Sequence, residues 1–262
     1  MKNIVLFGNC QAGQLGYILS MLLPASEFNV SVLSNNPRTG GMKSEEVILS
    51  EIGNCDILIY QPLTTSHGKL SEYHINNVTK SSCHSISFPY IFNDGVYSLC
   101  HAPMSPAHSY GKIYGEEAIL LQLKSGRTKR EIIRDWSKGY IDFKLLDRFN
   151  KCLNIMAEQE SSTDIKLSTF IKNNYREQKL FSTHNHPTNL LFYEILNQIS
   201  VISSLTMLNS LSTSELSATN CPITPYDISI HGYTFNADDD WCSKGVLLLN
   251  MIIDTYQIEQ GA

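Results

Sequence analysis

The first ninety residues alternate between short apolar runs and longer stretches with helical periodicity. Apolar runs typical of buried strands cover residues 3–7, 28–33, 56–60 and 85–88. Residues 11–23 carry leucine and isoleucine at helical spacing and end before Pro24, and residues 45–52 predict a second, shorter helix. Strands and helices that alternate in this way are typical of right-handed crossovers and a mostly parallel sheet.

After about residue 115 the pattern becomes helical. Helices are predicted over residues 116–124, 128–137, 142–159, 164–178 and 188–201. Residues 226–235 predict an extended segment, and residues 245–256 are apolar enough for a buried helix or strand. We therefore predict one α/β domain over residues 1–262, with a mostly parallel sheet flanked by helices. Its predicted parts are a sheet-rich core over 1–114, a helical elaboration over 115–210 and a C-terminal segment over 211–262.

The turn after the first apolar run carries a cysteine. The run leads directly into Gly8, Asn9 and Cys10, and helix-like sequence follows. Backbone N–H groups and the macrodipole at a helix N-terminus favour an anion, so this setting predicts a thiolate nucleophile. The alternative is a small buried residue at the edge of the sheet, because free cysteines are often buried and inert.

The glycines of this turn exclude two common nucleotide motifs. Gly8, Gly13 and Gly16 are spaced G-x-x-x-x-G-x-x-G, which differs from the dinucleotide fingerprint. A phosphate loop is excluded because Gln14, and no lysine, follows Gly13. A helix N-terminus still attracts a phosphate or carboxylate, and we predict that Gly8 and Gly13 lie against a bound cofactor.

Composition narrows the function classes. A net charge of −5 and a pI near 5.9 argue against a broad nucleic-acid surface. Seven cysteines, an odd number without regular spacing, argue against a disulfide framework and for a reducing compartment. The apolar run before Gly8 is too short for a signal-peptide core, and no later run is long enough to span a bilayer. These features predict a cytoplasmic protein, with peripheral membrane association left open.

A second candidate site has the sequence Thr-His-Asn-His-Pro at residues 183–187. Together with Gly8-Asn9-Cys10 it resembles the active site of SGNH/GDSL-type esterases and acyltransferases, with cysteine replacing serine and without the aspartate of Asp-x-x-His-Pro. Pro187 suits the first helical position, which predicts His186 at the N-cap of the following helix. The dipole there disfavours an imidazolium, so His186 is predicted to act as a base. The alternative role is a helix cap.

Three short motifs occur in order along most of the chain: GNCQ at 8–11, SFPY at 87–90 and HNHPTN at 184–189. In this order they resemble the WcbI-type polysaccharide biosynthesis family. The resemblance implies an α/β protein that binds coenzyme A and acts as an acetyltransferase in bacterial capsule assembly. It implies acetyl-coenzyme A as the acyl donor and a sugar or glycan as the acceptor, and leaves open a peripheral association with the assembly machinery.

Two routes are open under this interpretation. Cys10 attacks an acyl thioester to form an acyl-enzyme, or His186 activates the acceptor hydroxyl directly while Cys10 lines the site. A Cys–His pair needs no third residue when the thiolate is already stabilised, which fits the missing aspartate. His184 and Thr183 are both candidates for orienting the base.

Further residues are assigned supporting roles. The predicted oxyanion donors are the N–H of Cys10 and the side chain of Asn9 or Gln11, and Gln61 follows the third strand at the edge where parallel sheets bind ligands. Turn capping is the alternative for each of them. The predicted cofactor contacts are Phe88, Tyr90, His184, Arg38 and, more weakly, Lys112. Phe88 and Tyr90 would line the pantetheine arm or the acceptor sugar, with core packing as the alternative, and Arg38 would meet a phosphate of coenzyme A.

A metal site is not expected. Cys83-His84 and Cys100-His101 lack zinc-site spacing, and the acidic run at 238–240 is better explained as a solvated loop or helix start. Two other functions use the same residues. An SGNH-like thioesterase or esterase would employ Cys10 and His186 with water as the acceptor, and a non-catalytic protein would only bind coenzyme A or a nucleotide.

Overall fold

The computed structural model describes residues 1–35, 43–101, 113–207 and 221–261. The chain divides into two compact units, each made of three separate stretches. The first unit contains residues 1–91, 156–170 and 189–215, and the second contains residues 92–155, 171–188 and 216–262. The single-domain organisation, with its boundaries at 115 and 211, stays a prediction.

The secondary structure follows this order. The strands are β1 (Lys2–Gly8), β2 (Phe28–Ser34), β3 (Ile57–Tyr60), β4 (His84–Ser87), β5 (Cys100–His101), β6 (Ile113–Tyr114), β7 (Phe181–Thr183) and β8 (His186–Pro187). The α-helices are α1 (Cys10–Leu22), α2 (Glu45–Asn54), α3 (Glu72–Val78), α4 (Glu116–Lys124), α5 (Lys129–Ser137), α6 (Leu145–Gln159), α7 (Ser168–Asn174), α8 (Asn189–Ser203), α9 (Pro225–His231) and α10 (Trp241–Gly261). A 3-10 helix spans Thr65–Leu70.

A parallel sheet forms the core of the first unit. Its four strands lie in the order β2-β1-β3-β4, and every neighbouring pair is parallel. Both faces of β1 are buried: Leu6 packs toward α1, and Phe7 packs in the cluster that contains Ile48 and Ile52 of α2. Strands covered on both faces have continuous apolar sequences, which is why the apolar runs identified them. The predicted α/β fold class is confirmed.

The second unit is mainly helical. Its core packs α4, α5 and α10 through side chains such as Ile119, Trp136 and Leu249. Two short antiparallel pairs, β5–β6 and β7–β8, also belong to this unit. Within the described ranges, no helix has the combination of length and apolar character that a membrane crossing requires.

The sequence predicts the conformation of two C-terminal segments, and the structure agrees with one of the two predictions. Residues 226–235, predicted to be extended, contain most of α9, and this prediction is wrong. The helix starts with Pro225 at its first turn and with a capping box, in which the side chains of Thr224 and Asp227 each bond to the other's backbone N–H. Residues 245–256 lie within α10, so the helical alternative is the correct one.

One disulfide joins two stretches of the second unit. Cys100 is bonded to Cys221, a pairing that the odd number and irregular spacing of the cysteines did not predict. Cys10, Cys55, Cys83, Cys152 and Cys242 are free thiols. The expectation from the sequence that all seven cysteines are reduced thiols is therefore wrong for Cys100 and Cys221.

Candidate active site

Cys10 is the first residue of α1 and lies at the carboxyl end of β1. Asn9 is the N-cap, and its side-chain oxygen accepts a hydrogen bond of 2.8 Å from the N–H of Gln11. The predicted strand-to-helix turn is therefore present. Asn9 uses its side-chain oxygen to cap the helix, and its role as an oxyanion donor stays a prediction.

Two buried glutamines hold this turn in place. Gln61 accepts a hydrogen bond of 3.0 Å from the N–H of Asn9 and donates one of 2.9 Å to the side-chain oxygen of Gln11. Gln11 in turn donates to the carbonyl of Ile91 over 2.6 Å and accepts from the N–H of Ile91. The two amides thus connect the ends of β1 and β3 to the chain after β4. Their proposed donation to an oxyanion stays a prediction.

The two glycines of the turn have different surroundings. A Cβ on Gly8 would lie 2.6 Å from Oε1 of Gln61, so only glycine lets this amide approach the backbone of the turn. A Cβ on Gly13 would have no heavy atom within 4 Å. Gly8 therefore has a structural function, whereas contact of either glycine with a cofactor stays a prediction.

Burial of the Cys10 thiol raises its pKa above the ordinary value, although the N–H groups of Cys10 and Gln11 lower it. The helix N-terminus acts in the predicted direction, but desolvation outweighs it. The expectation of a thiolate that is already stabilised is therefore wrong for this structure. Since the thiol is protonated near neutral pH, chemistry at Cys10 needs a base.

His186 lies in β8 and not at a helix cap. α8 begins only at Asn189, three residues later, because the chain at residues 186–187 pairs with β7 and the N–H of Thr188 donates to the carbonyl of Leu180 over 2.9 Å. The predicted N-cap position is therefore wrong, as is Pro187 at the first helical position. Cys10 belongs to the first unit and His186 to the second, and their pairing stays a prediction.

His184 is a buried residue of the second unit. Its exposed fraction is 3 %, and its ring lies 3.9 Å from that of Tyr114 and 5.4 Å from that of Phe92. Nδ1 lies 3.4 Å from the sulfur of Cys100. The hydroxyl of Thr183 donates to the side-chain oxygen of Asn185. Cofactor binding by His184 and orientation of the base by His184 or Thr183 stay predictions.

The SFPY motif divides into a core part and a surface part. Phe88 is completely buried and therefore has no surface with which to line a ligand in this structure. Tyr90 is 40 % exposed and lines a cavity of about 230 Å³ in the first unit. Sequence reasoning missed Glu72, which lines the same cavity, and Asp164, which bonds to Ser87; no local motif marks either carboxylate.

The remaining candidates add little to the described site. Arg38 and Lys112 lie outside the described residues. In one of the two adjacent Cys–His pairs, Cys100 forms a disulfide and therefore has no thiolate with which to bind a metal. In the ranges that the structure describes, no three histidine, cysteine or acidic side chains form a group that could hold a metal ion.

Comparison with known proteins agrees with this architecture. A solved structure of WcbI is similar to this chain with a TM-score of 0.64 and 18 % identity, over 96 % of this chain and 94 % of its own. It is described as a novel polysaccharide biosynthesis enzyme, in its native form without a disulfide bond between coenzyme A and a cysteine. At this identity the likeness shows the fold. No curated protein matches the chain.

A sequence profile of the family described as polysaccharide biosynthesis enzyme WcbI matches residues 3–206, which is most of the chain. The match includes all three motifs that carried the resemblance, GNCQ, SFPY and HNHPTN. It also covers every strand of the parallel sheet. The chain therefore belongs to the WcbI family of polysaccharide biosynthesis enzymes.

Proposed function

We propose that this chain is an acyltransferase that moves an acyl group, most simply acetyl, from coenzyme A to a sugar hydroxyl in surface polysaccharide synthesis. The observation that carries the proposal is the position of Cys10, at the first residue of α1 and at the carboxyl edge of the sheet, in a member of this family. The description of the similar structure, which names coenzyme A and a cysteine together, supports coenzyme A as a ligand that binds near a cysteine.

In the covalent route His186 acts as the base. It removes the proton of the Cys10 thiol, and the sulfur attacks the carbonyl carbon of the thioester. The bond between that carbon and the sulfur of coenzyme A breaks, and the leaving thiolate takes the proton from the base. The sugar hydroxyl then attacks the acyl-cysteine, and its proton passes through the base to the Cys10 sulfur. An O-acyl sugar and the free thiol remain.

The raised pKa of Cys10 supports a second route as well. In direct transfer His186 removes the proton of the sugar hydroxyl, which attacks the thioester without an acyl-enzyme, and a protonated Cys10 lines the donor site. Both routes place the same demand on His186, and they differ in whether a covalent bond forms at Cys10.

The test is peptide mapping by mass spectrometry after incubation with acetyl-coenzyme A, together with thermal-shift titration by coenzyme A. Peptide mapping separates an acetyl thioester from a mixed disulfide with coenzyme A. We expect acetyl on Cys10, no adduct in Cys10→Ala, and much slower acetylation in His186→Gln. Cys242→Ala is the matched control, since it removes an exposed free thiol.

The glutamine network gives a second variant. Gln61→Leu removes the partner of the Asn9 N–H, and the resulting misplacement of the turn is expected to slow acetylation by roughly ten- to a hundred-fold. Gln257→Leu, on an exposed position of α10, is the control and should acetylate normally. Thermal stabilisation by coenzyme A without an adduct would overturn the covalent route in favour of direct transfer. If coenzyme A produces no thermal stabilisation and acetyl-coenzyme A leaves no adduct, the coenzyme A proposal is overturned.

A further inference from the structure

The cavity beside Tyr90 has walls from three segments of the first unit, and Glu72 at the start of α3 completes its lining. The first follows β3 at residues 62–64, the second follows β4 at residues 89–90, and the third is the end of α6 with residues 162–163. The first wall begins one residue after Gln61, which is bonded to the Cys10 turn. The cavity therefore lies at the carboxyl edge of the sheet that also carries Cys10.

A reciprocal set of hydrogen bonds fixes the third wall to the sheet. The carboxylate of Asp164 accepts from the N–H of Ser87 over 2.7 Å and from its hydroxyl over 2.8 Å. The carbonyl of Ser87 accepts from the N–H groups of Asp164 and Ile165. We call this set the Ser87–Asp164 clamp. Because it attaches the third wall to the last residue of β4, the cavity is already formed in the absence of a ligand.

The second fixed group is the carboxylate of Glu72. The Tyr60 hydroxyl donates to its Oε1 over 3.3 Å, and burial together with this carboxylate raises the pKa of Tyr60, so the hydroxyl keeps its proton. Oε2 of Glu72 receives no hydrogen bond from any residue that the structure describes. Glu72 thus offers a held, negatively charged acceptor at the cavity.

The lining combines apolar faces with hydroxyl and amide groups. Tyr90, Pro62 and Pro89 give flat apolar surface, and Thr64, Gln159 and Ser162 give polar groups. Apolar C–H faces of a sugar ring pack on aromatic rings, while its hydroxyls need acceptors such as a carboxylate. Among the described lining residues, Glu72 carries the only formal charge, so this cavity disfavours the phosphates of a nucleotide or of coenzyme A.

From this arrangement we infer that the cavity is a subsite for one uncharged sugar residue of the acceptor, stacked on Tyr90 and held through its hydroxyls by Glu72. A volume of about 230 Å³ lies below the roughly 300–1,000 Å³ of pockets for drug-sized ligands, and it suits a single ring. This inference rests on the proposed function for its place in catalysis, but the binding of a sugar is tested without any donor.

The experiment is saturation-transfer NMR on the intact chain with a panel of neutral methyl hexosides. We expect binding by at least one hexoside, weakened about ten-fold in Tyr90→Ala and in Glu72→Gln, the loss that one aromatic or charged contact produces. Tyr140→Ala is the matched control, because Tyr140 is 73 % exposed and lies outside the cavity. Circular dichroism spectra show whether each variant is folded.

The outcomes separate this inference from the proposed function. Sugar binding weakened about ten-fold in both variants, with acetylation of Cys10 retained, supports the subsite. Acetylation of Cys10 without binding of any hexoside overturns the subsite and leaves the proposed function standing. Sugar binding without any response to acetyl-coenzyme A supports the subsite and overturns the proposed function. Displacement of the hexoside by coenzyme A, or loss of coenzyme A binding in Tyr90→Ala, assigns the cavity to the donor and overturns the inference.

Discussion

Two buried ionisable side chains of α9 respond to acid in opposite directions. Nε2–H of His231 donates to the carbonyl of Gly95 over 2.8 Å, and burial lowers the pKa of His231 from 6.5 to about 4. Asp227 accepts hydrogen bonds from Ser98 and Thr224, yet burial raises its pKa from 3.8 to about 6. In the folded protein Asp227 therefore changes charge near pH 6 and His231 near pH 4.

The signs follow from which state binds the proton. Between pH 6.5 and 4 the unfolded chain protonates His231 and the folded chain does not, so this group lowers the free energy of unfolding by about 3 kcal/mol as the pH falls. From pH 6 to 3.8 the folded chain protonates Asp227 first, which raises the free energy of unfolding by about 3 kcal/mol. The two contributions nearly cancel in the natural sequence.

His231→Gln removes one side of this balance. Its amide can still donate to Gly95, but it does not titrate, so the stability of the natural protein relative to the variant should fall by about 2 kcal/mol between pH 7 and pH 5. Urea unfolding at several pH values measures this difference. Asp227→Asn is the companion variant. The stability of the natural protein relative to this variant should rise as the pH falls from 7 to 5. Parallel stability profiles for His231→Gln and the natural protein would contradict the assignment.

At the scale of secondary-structure elements, the local sequence was sufficient to predict those elements whose structure depends mainly on neighbouring residues. Apolar runs identified the strands of the parallel sheet, and the sequence around Cys10 identified the turn before α1. The pKa direction of Cys10 was missed because burial depends on packing by distant residues. His186 was misplaced because the pairing of β7 with β8 and the bond from Thr188 to Leu180 override the preference of Pro187 for a helix start.

α9 was missed although its capping box is visible in the sequence. Thr224, Pro225 and Asp227 form a T-P-x-D signal at the start of the helix, whereas the residues after them were predicted to be extended. The Ser87–Asp164 clamp joins residues 77 positions apart, and no short-range pattern in the sequence marks it. The start of α9 is thus marked by local chemistry, whereas the long-range contact of Asp164 is not.

Two N-cap threonines, one buried and one exposed, test how much burial adds to the stability that a helix cap contributes. Thr224→Ala removes a cap that is 2 % exposed and bonded to Asp227, so we expect a loss of about 2 kcal/mol in the free energy of unfolding. Thr128→Ala removes the equivalent capping box of α5 at an exposed position and should cost only about 0.5–1 kcal/mol. Urea unfolding curves at pH 7 compare the two. Equal losses would show that burial adds nothing to the cap.

At the scale of the whole molecule, the disulfide joins the first and last stretches of the second unit. Cys100 and Cys221 are 121 residues apart, so the bond closes a long loop in the unfolded chain. A crosslink over such a loop stabilises a folded protein by roughly 5 kcal/mol in the chain-entropy treatment. The chain is thus expected to be markedly less stable when this bond is reduced.

Thermal unfolding with and without a reductant tests this expectation. The melting temperature should fall in the reductant for the natural protein and for Cys242→Ala, which keeps both half-cystines. The double variant Cys100→Ala/Cys221→Ala should melt at the lower temperature in both conditions. A melting temperature that the reductant leaves unchanged in the natural protein would contradict a stabilising disulfide.

The Ser87–Asp164 clamp also fixes an order of events during synthesis. A ribosome releases all four strands of the parallel sheet before residue 164, because the last of them ends at Ser87. A nascent chain at that stage has the Cys10 turn and two walls of the cavity, but not the third. The subsite that we infer for the acceptor is thus completed only after residue 164 has been added, so a nascent chain that ends before this residue lacks the third wall on which the subsite depends.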